Sequence, residues 1–219
     1  MLHTLSYQLR GKQMSIVERK ERHKESLRQE ILDAAREILL AEGHAFLSMR
    51  RIAERIEYSP TTIYLYFKNK DDILYHLCVE TLERQFEVFS AAGVDQPSPL
   101  LRLRATLRAY VDFGLSEPDR YKITYMEDLS RYVSTASILE QGGVADKLIE
   151  LMCHRVHEAL IASGSDRDVT CVFQTLWAHC HGMVSLLIGH PDFPWTERET
   201  LIETSLDLSL AWLIDKETE

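Results

Sequence analysis

SMRRIAERIEYSPTTIYLYF, residues 48–67, is the stretch whose reading decides the fold of this 219-residue chain. Ser48 suits the cap of a short helix whose inner face is Met49, Ile52, Ala53 and Ile56, spaced as one side of a helix requires. Glu57-Tyr58-Ser59 follows as a turn. Pro60 fits the first position of a second helix, because its fixed φ is helical and its missing N–H is not needed there; Ser59 is the cap. That helix is expected to run through Thr61, Thr62, Ile63, Tyr64, Leu65 and Tyr66 to Phe67. Ile63 and Phe67, four apart, give it a buried stripe, and Thr61, Thr62 and Tyr64 point away. A support helix, a tight turn and a second helix with exposed polar groups have the proportions of a helix-turn-helix.

Outward from this stretch the pattern stays helical. Before it, Leu27, Ile31, Ala34, Ala35, Ile38 and Leu39 recur at helical spacing and stop at Gly43. After it, Asn69-Lys70-Asp71 opens a long fourth helix over 71–90, and the linker AGVDQPSP, 92–99, ends that run. Helices are expected over 100–115, 119–128, 144–161, 166–188 and 196–214, while 130–137 reads ambiguously. Nine glycines and six prolines are few for a sheet protein, and no strand pattern or repeat stands out. The fold class is all-α.

The net charge of −9 argues against a nucleic-acid partner until its distribution is considered. Residues 1–70 carry a balance of +4, and residues 71–219 a balance of −13. A basic module on an acidic body confines DNA to one end. At the head of residues 48–70, the free amides of the helix that starts at Pro60 favour anions, and Tyr66, Lys68 and Lys70 can hold a phosphate backbone. Arg50 joins the candidate contacts. The alternative is a helical hairpin in which Tyr64, Tyr66 and Phe67 only pack.

The runs RQEILDAAREILLAEG (28–43) and SMRRIAERIEYSPTTIYLYFKNKDDIL (48–74) resemble the N-terminal domain of the tetracycline-repressor (TetR) family. The likeness rests on Ile52-Ala53, Ser59, Ile63-Tyr64-x-Tyr66-Phe67 and Lys70, and covers about a quarter of the chain. It implies a three-helix DNA head, a long fourth helix leading to a helical ligand-binding body, and a homodimer formed through the last two long helices. It also implies that Ser48, Tyr64, Tyr66 and Lys70 contact phosphate, and that Ser59, Pro60, Thr61 and Thr62 approach bases or nearby backbone. Family members usually carry glycine where this chain has Glu57, so a turn needing positive φ there is strained. The expected organisation is a basic, flexible arm over 1–25, a DNA-binding domain over 26–70 and an effector-binding and dimerisation domain over 71–219. The arm holds Arg10, Lys12, Arg19, Lys20, Arg22 and Lys24, and Met14 is an alternative start to Met1. A solvated tail is preferred there over an arm that enters a minor groove.

In the body, Tyr110, Phe113, Tyr121, Tyr125, Met126, Phe173 and Trp177 are candidates for an effector pocket, and their abundance favours an apolar or aromatic ligand. The acidic body would alternatively suit a cation. The last two helices are apolar on more than one face, which calls for partners on two sides. Trp177, His181, Val184, Ile188, Leu206, Leu210 and Leu213 are the candidate dimer residues, and Gly182 would let backbones approach.

Catalysis finds no support: the chain has no phosphate-binding glycine loop, zincin motif or nucleophile elbow. His154 and His157 share a helix face without a third ligand, and His179 and His181 diverge, so neither a metal nor a cofactor is expected. Cys78, Cys153, Cys171 and Cys180 form no paired motif and read as small buried residues. No apolar stretch of roughly 20 residues is expected to span a bilayer, and a cytoplasmic location follows. The expected function is a ligand-responsive repressor that binds a palindromic operator as a homodimer. The alternatives are a constitutive or activating DNA-binding regulator without effector, or a helical small-molecule-binding protein or enzyme.

Overall fold

The computed structural model describes residues 16–129 and 133–214, and every regular element among them is helical. The chain divides into two compact units, one ending at Lys68 and the other beginning at Asn69.

The first unit holds α1 (Ile16–Glu42), a single 3-10 turn (His44–Phe46), α2 (Met49–Arg55) and α3 (Pro60–Tyr64). Residues 16–25, expected as part of a flexible arm, are instead the first turns of α1. The physical reason lies in composition: no glycine falls between Gly11 and Gly43, and Glu, Arg and Lys are good helix formers. Glu18 and Arg22 stand four apart, and Arg28 pairs with Glu25 at 3.7 Å. Arg10, Lys12 and Met14 lie outside the described residues. At the other end the helix stops at Gly43, whose φ of 85° suits glycine.

Ile31, Ala35 and Ile38 of α1 are buried, as are Ile52 and Ala53 of α2 and Ile63 and Phe67 at α3. Hiding Ile63 and Phe67 from water contributes roughly 2 kcal/mol each. The Arg28 guanidinium covers the Phe67 ring at 5.5 Å, and Arg55 bonds Glu37 at 3.0 Å to tie α2 to α1. The helix at Pro60 is shorter than expected. The Ile63 carbonyl accepts from both Tyr66 N–H (3.0 Å) and Phe67 N–H (3.1 Å), so the ladder tightens into a turn before reaching Phe67.

The second unit holds α4 (Lys70–Ala91), α5 (Pro99–Ser116), α6 (Pro118–Tyr121), α7 (Thr135–Ile138), α8 (Val144–Ser163), α9 (Val169–Gly189) and α10 (Arg198–Ile214). A π-helical turn, Lys122–Met126, continues α6. Side-chain caps explain several starts: Asn69 accepts from Asp72 N–H at 2.8 Å, Ser98 from Leu101 N–H at 3.3 Å, and Asp168 from Cys171 N–H at 2.7 Å. The last of these moves the start of α9 from the expected residue 166 to Val169.

Helix α5 packs against α4, α8, α9 and α10, so it forms the axis of this unit. Its inner side carries Leu103, Leu107, Tyr110 and Val111, all buried. On its flank, Arg108 binds Glu199 at 2.5 Å and Glu203 at 2.6 Å, while Arg104 binds Glu203 at 2.6 Å and Asp207 at 2.8 Å. Those shared carboxylates hold α10 along α5 and lower the pKa of Glu203, first through its bond from Arg104.

Helix α9 contains no Asp, Glu, Lys or Arg. It is therefore long and apolar enough, by length and composition alone, to cross a bilayer, where the sequence had suggested no such stretch. The core helix of a soluble protein meets the same criterion.

At Gly114 helix α5 meets Val184 of α9 with no room for a side chain. A methyl group there would stand 2.5 Å from Val184 Cγ1 and 3.0 Å from the Tyr121 ring. Gly114→Ala is expected to destabilise the protein by about 1–3 kcal/mol through overpacking, read as a lower urea midpoint. An unchanged midpoint would mean that the helices separate freely.

Candidate functional site

The helix-turn-helix is built by two serine caps. Ser48 Oγ accepts from Arg51 N–H at 3.3 Å, and Ser59 Oγ accepts from Thr62 N–H at 3.2 Å. Ser59 Oγ also shares a hydrogen bond of 2.9 Å with Thr62 Oγ1. The Thr62 hydroxyl, expected near bases, is thus turned onto its own cap. Pro60, Thr61 and Tyr64 are exposed beside it, Tyr64 to 57%. Tyr66 is half-buried and Lys68 exposed. Arg50 is exposed, but its Nε already bonds Glu54 at 2.8 Å. Lys70 is the first residue of α4 and belongs to the second unit.

Leu65 was missed. It is 78% exposed, an apolar side chain presented beside Tyr64. The signal was present in the spacing, since Leu65 falls midway between the buried Ile63 and Phe67 and must face away from them.

The turn between α2 and α3 carries Glu57 at φ 60°, a non-glycine residue in the left-handed region. That conformation costs a residue with Cβ about 1–2 kcal/mol. The flanking Tyr58 N–H bonds back to the Ala53 carbonyl at 2.9 Å, which fixes the reversal.

In the second unit several aromatic candidates converge on a polar chain within an apolar core. Trp177 Nε1 donates to Tyr110 Oη at 3.2 Å, Tyr110 and Tyr121 share a bond of 2.9 Å, and Tyr121 reaches His181 Nδ1 at 2.7 Å. A single direction of donation satisfies the chain if His181 Nδ1 accepts. Burial lowers the pKa of His181 and raises those of Tyr110, Tyr121 and Tyr125, so every member stays neutral. Tyr125 lies against Tyr121, with ring centroids 5.0 Å apart, and donates to Gln85 Oε1 at 2.6 Å. Phe173 stacks on Trp177 at 6.2 Å. Phe113 packs in the apolar core, and Met126 is exposed outside it. Gln85 had not been singled out, because one polar residue on a helix carries no pattern.

The residues expected at a dimer face divide in two. Val184, Leu206, Leu210 and Leu213 are buried in the core of their own unit and are corrected to that role. His181 is half-buried and bonded to Tyr121, and Ile188 packs partly against the same core. Trp177 remains exposed, joined by Leu186 (49%), Leu208 (66%) and Trp212. When two apolar stripes share a helix, spacing alone does not say which one turns inward. Gly182 has open space where a Cβ would stand. Thr175, His179, Leu208 and Trp212 line a shallow cleft between α9 and α10.

Among the described residues no group of three His, Cys, Asp or Glu side chains is arranged to hold a metal. All four cysteines are free; Cys171 is exposed and Cys153 half-buried, against the expectation that all were core residues. Burial pushes the Cys78 thiol up to about 11 and that of Cys180 to about 12, which leaves both unreactive.

Two short capped helices with an exposed second member, in a chain that also holds a larger helical unit, define a helix-turn-helix DNA-binding regulator. Known proteins extend that statement. A family model described as "Bacterial regulatory proteins, tetR family" matches residues 31–77, and another, "Tetracyclin repressor-like, C-terminal domain", matches 103–211. The chain belongs to the tetracycline-repressor family of transcriptional regulators, which are DNA-binding proteins and not enzymes. An uncharacterized HTH-type transcriptional regulator of Haemophilus influenzae is 25% identical over 154 residues, 67% of this chain and 76% of that protein. The HTH-type transcriptional repressor KstR of Rhodococcus jostii is 35% identical over 82 residues, only 36% of this chain and 37% of that one. A crystal structure of a tetR-family regulatory protein from Rhodococcus RHA1 has the same fold, with a TM-score of 0.72 at 17% identity, over 87% of this chain and 98% of that one.

Glu57→Gly relieves the backbone strain and removes a carboxylate from the turn before α3. Glycine gives back about 0.5–1 kcal/mol as unfolded-state entropy, so the stability gain is expected to be under about 1 kcal/mol. Duplex affinity is expected to rise several-fold at low salt, with a smaller difference at high salt. Fluorescence anisotropy on labelled DNA at two salt concentrations measures both, and a drop in affinity would contradict the placement of Glu57.

Proposed function

We propose that the protein is a homodimeric repressor that reads a palindromic operator and is released from it by a small molecule bound in its second unit. The observation that carries the proposal is the exposure of Thr61 and Tyr64 on α3, and of Leu65 just after it, while Ile63 and Phe67 are buried behind them. In this reading Tyr64 and Leu65 meet base edges or sugars in a major groove, and Ser48, Tyr66 and Lys68 meet phosphates. Phosphate contacts set the register, and α3 selects the sequence.

The second copy is supported by the apolar surface of α9 and α10. Leu186 on α9 and Leu208 and Trp212 on α10 stay exposed, apolar surface of the kind that soluble chains cover with a partner. A two-fold pair places two reading helices one duplex turn apart, roughly 34–36 Å, which is what makes the operator a palindrome. A cytoplasmic location accompanies operator binding.

The effector site we propose is formed by Tyr110, Tyr121, Tyr125, Phe173 and Trp177. Their rings favour an apolar or aromatic molecule, and an effector acts only by preferring the state that does not hold DNA. A constitutive regulator would use the same aromatic group as core alone.

Two measurements test this. Selection of bound sequences from random duplexes is expected to return an inverted repeat. Tyr64→Ala is then expected to cost about 1–3 kcal/mol of binding to the selected duplex while leaving the fold intact. An unstructured collection of sequences, or a Tyr64→Ala variant with full affinity, would remove the reading head. Leu208→Glu, at an exposed position, is expected to turn the dimer into a folded monomer in sedimentation equilibrium and to weaken operator binding at least a hundredfold. A wild-type monomer would overturn the dimer.

A further inference from the structure

Three polar side chains are fully buried among the described residues: Thr81, Thr106 and Gln85. The two threonines are satisfied inside their own helices, Thr81 by the Leu77 carbonyl at 3.0 Å and Thr106 by that of Arg102 at 2.9 Å. Gln85 differs. Its Oε1 accepts from Tyr125 at 2.6 Å, but its Nε2, enclosed in the protein, has no hydrogen-bond partner among the described residues. A buried amide donor without a partner is costly, so its persistence in a packed core calls for an occupant that completes it.

The surroundings define that occupant. Tyr125 lies on the π-helical turn Lys122–Met126, a backbone irregularity that concentrates at binding sites. The rings of Tyr121, Trp177 and His181 stand within 6.5 Å of the Tyr125 ring, centroid to centroid. Tyr125 is half-buried and Trp177 exposed, so the group reaches the surface on that side. The ring cluster carries no cationic side chain, and the neutral tyrosines and imidazole offer nothing to balance an anion. An unpaired N–H in such a setting suits an uncharged oxygen acceptor.

Resting on the effector site proposed above, we propose that Gln85 Nε2 is the specificity donor of that site and selects apolar molecules bearing a neutral carbonyl oxygen, against hydrocarbons of the same shape and against carboxylates. The Tyr125 bond positions the amide, because it holds Oε1 and leaves Nε2 as the donor still to be matched. Gln85 thereby sets the chemistry of the effector, while the rings set its shape.

The test uses three probes of similar size on the full chain: acetophenone, ethylbenzene and benzoate. Acetophenone is expected to bind at least tenfold more tightly than either of the others. On binding, the side-chain amide proton resonance of Gln85 in 15N-labelled wild-type protein moves downfield with acetophenone and not with ethylbenzene. Gln85→Met, of similar volume and without a donor, is expected to bind acetophenone and ethylbenzene equally. Equal binding of these two by the wild type, or a preference that survives Gln85→Met, would overturn the assignment while leaving an apolar effector site in place. A Gln85 resonance unmoved by bound acetophenone would overturn it even if the variant failed to fold. Binding of none of the three would remove both the donor and the site on which it rests.

Discussion

The burial of Ile63 and Phe67 is the constraint on which the reading head depends. Once these two side chains are hidden, the rotation of α3 about its own axis is settled, and with it the side that remains in water. Ser59 fixes the start of the helix through Thr62 N–H, and the Ile63 carbonyl fixes its end by accepting twice. The result is a five-residue helix held at both ends, which presents Thr61 and Tyr64, with Leu65 at its end, with little freedom to wander. A reading element must be this well determined, because a base contact is lost if its donor moves by much more than the tolerance of a hydrogen bond.

The second unit obeys a different constraint. Helix α9 has no charged side chain, so it must be covered almost all the way round. Gly114 lets α5 cover one side closely, and Val184, Leu176 and Cys180 face that cover. The opposite side, with Ala178 and Leu186, is exposed. One helix thus serves as the core of its own unit and, in the proposed dimer, as surface offered to a second copy. The polar chain from Trp177 through Tyr110 and Tyr121 to His181 starts and ends on this same helix, so the proposed effector site and the proposed pairing surface share one element.

Much of this was legible in the sequence, and the exceptions have causes. The capped helices around Ser48 and Ser59 were readable because serine, proline and the Ile63–Phe67 spacing act locally. The positive φ at Glu57 was readable because the family usually places glycine there. The continuation of α1 back to Ile16 was not, since a charged run suits a solvated tail and a solvated helix equally. The inward and outward stripes of α9 and α10 were interchanged at Val184, Leu206, Leu210 and Leu213, because both stripes are apolar and only packing distinguishes them. Gln85 and Leu65 escaped notice for a related reason. Each is a single residue whose meaning comes from what surrounds it in three dimensions.

A hydroxyl-radical footprint on a duplex selected by the protein tests the central claim most directly. Paired copies, each presenting one α3, are expected to protect two stretches related by a two-fold axis, with centres one duplex turn apart or a whole multiple of it. A single protected stretch, or protection spread evenly along the duplex, would contradict the account.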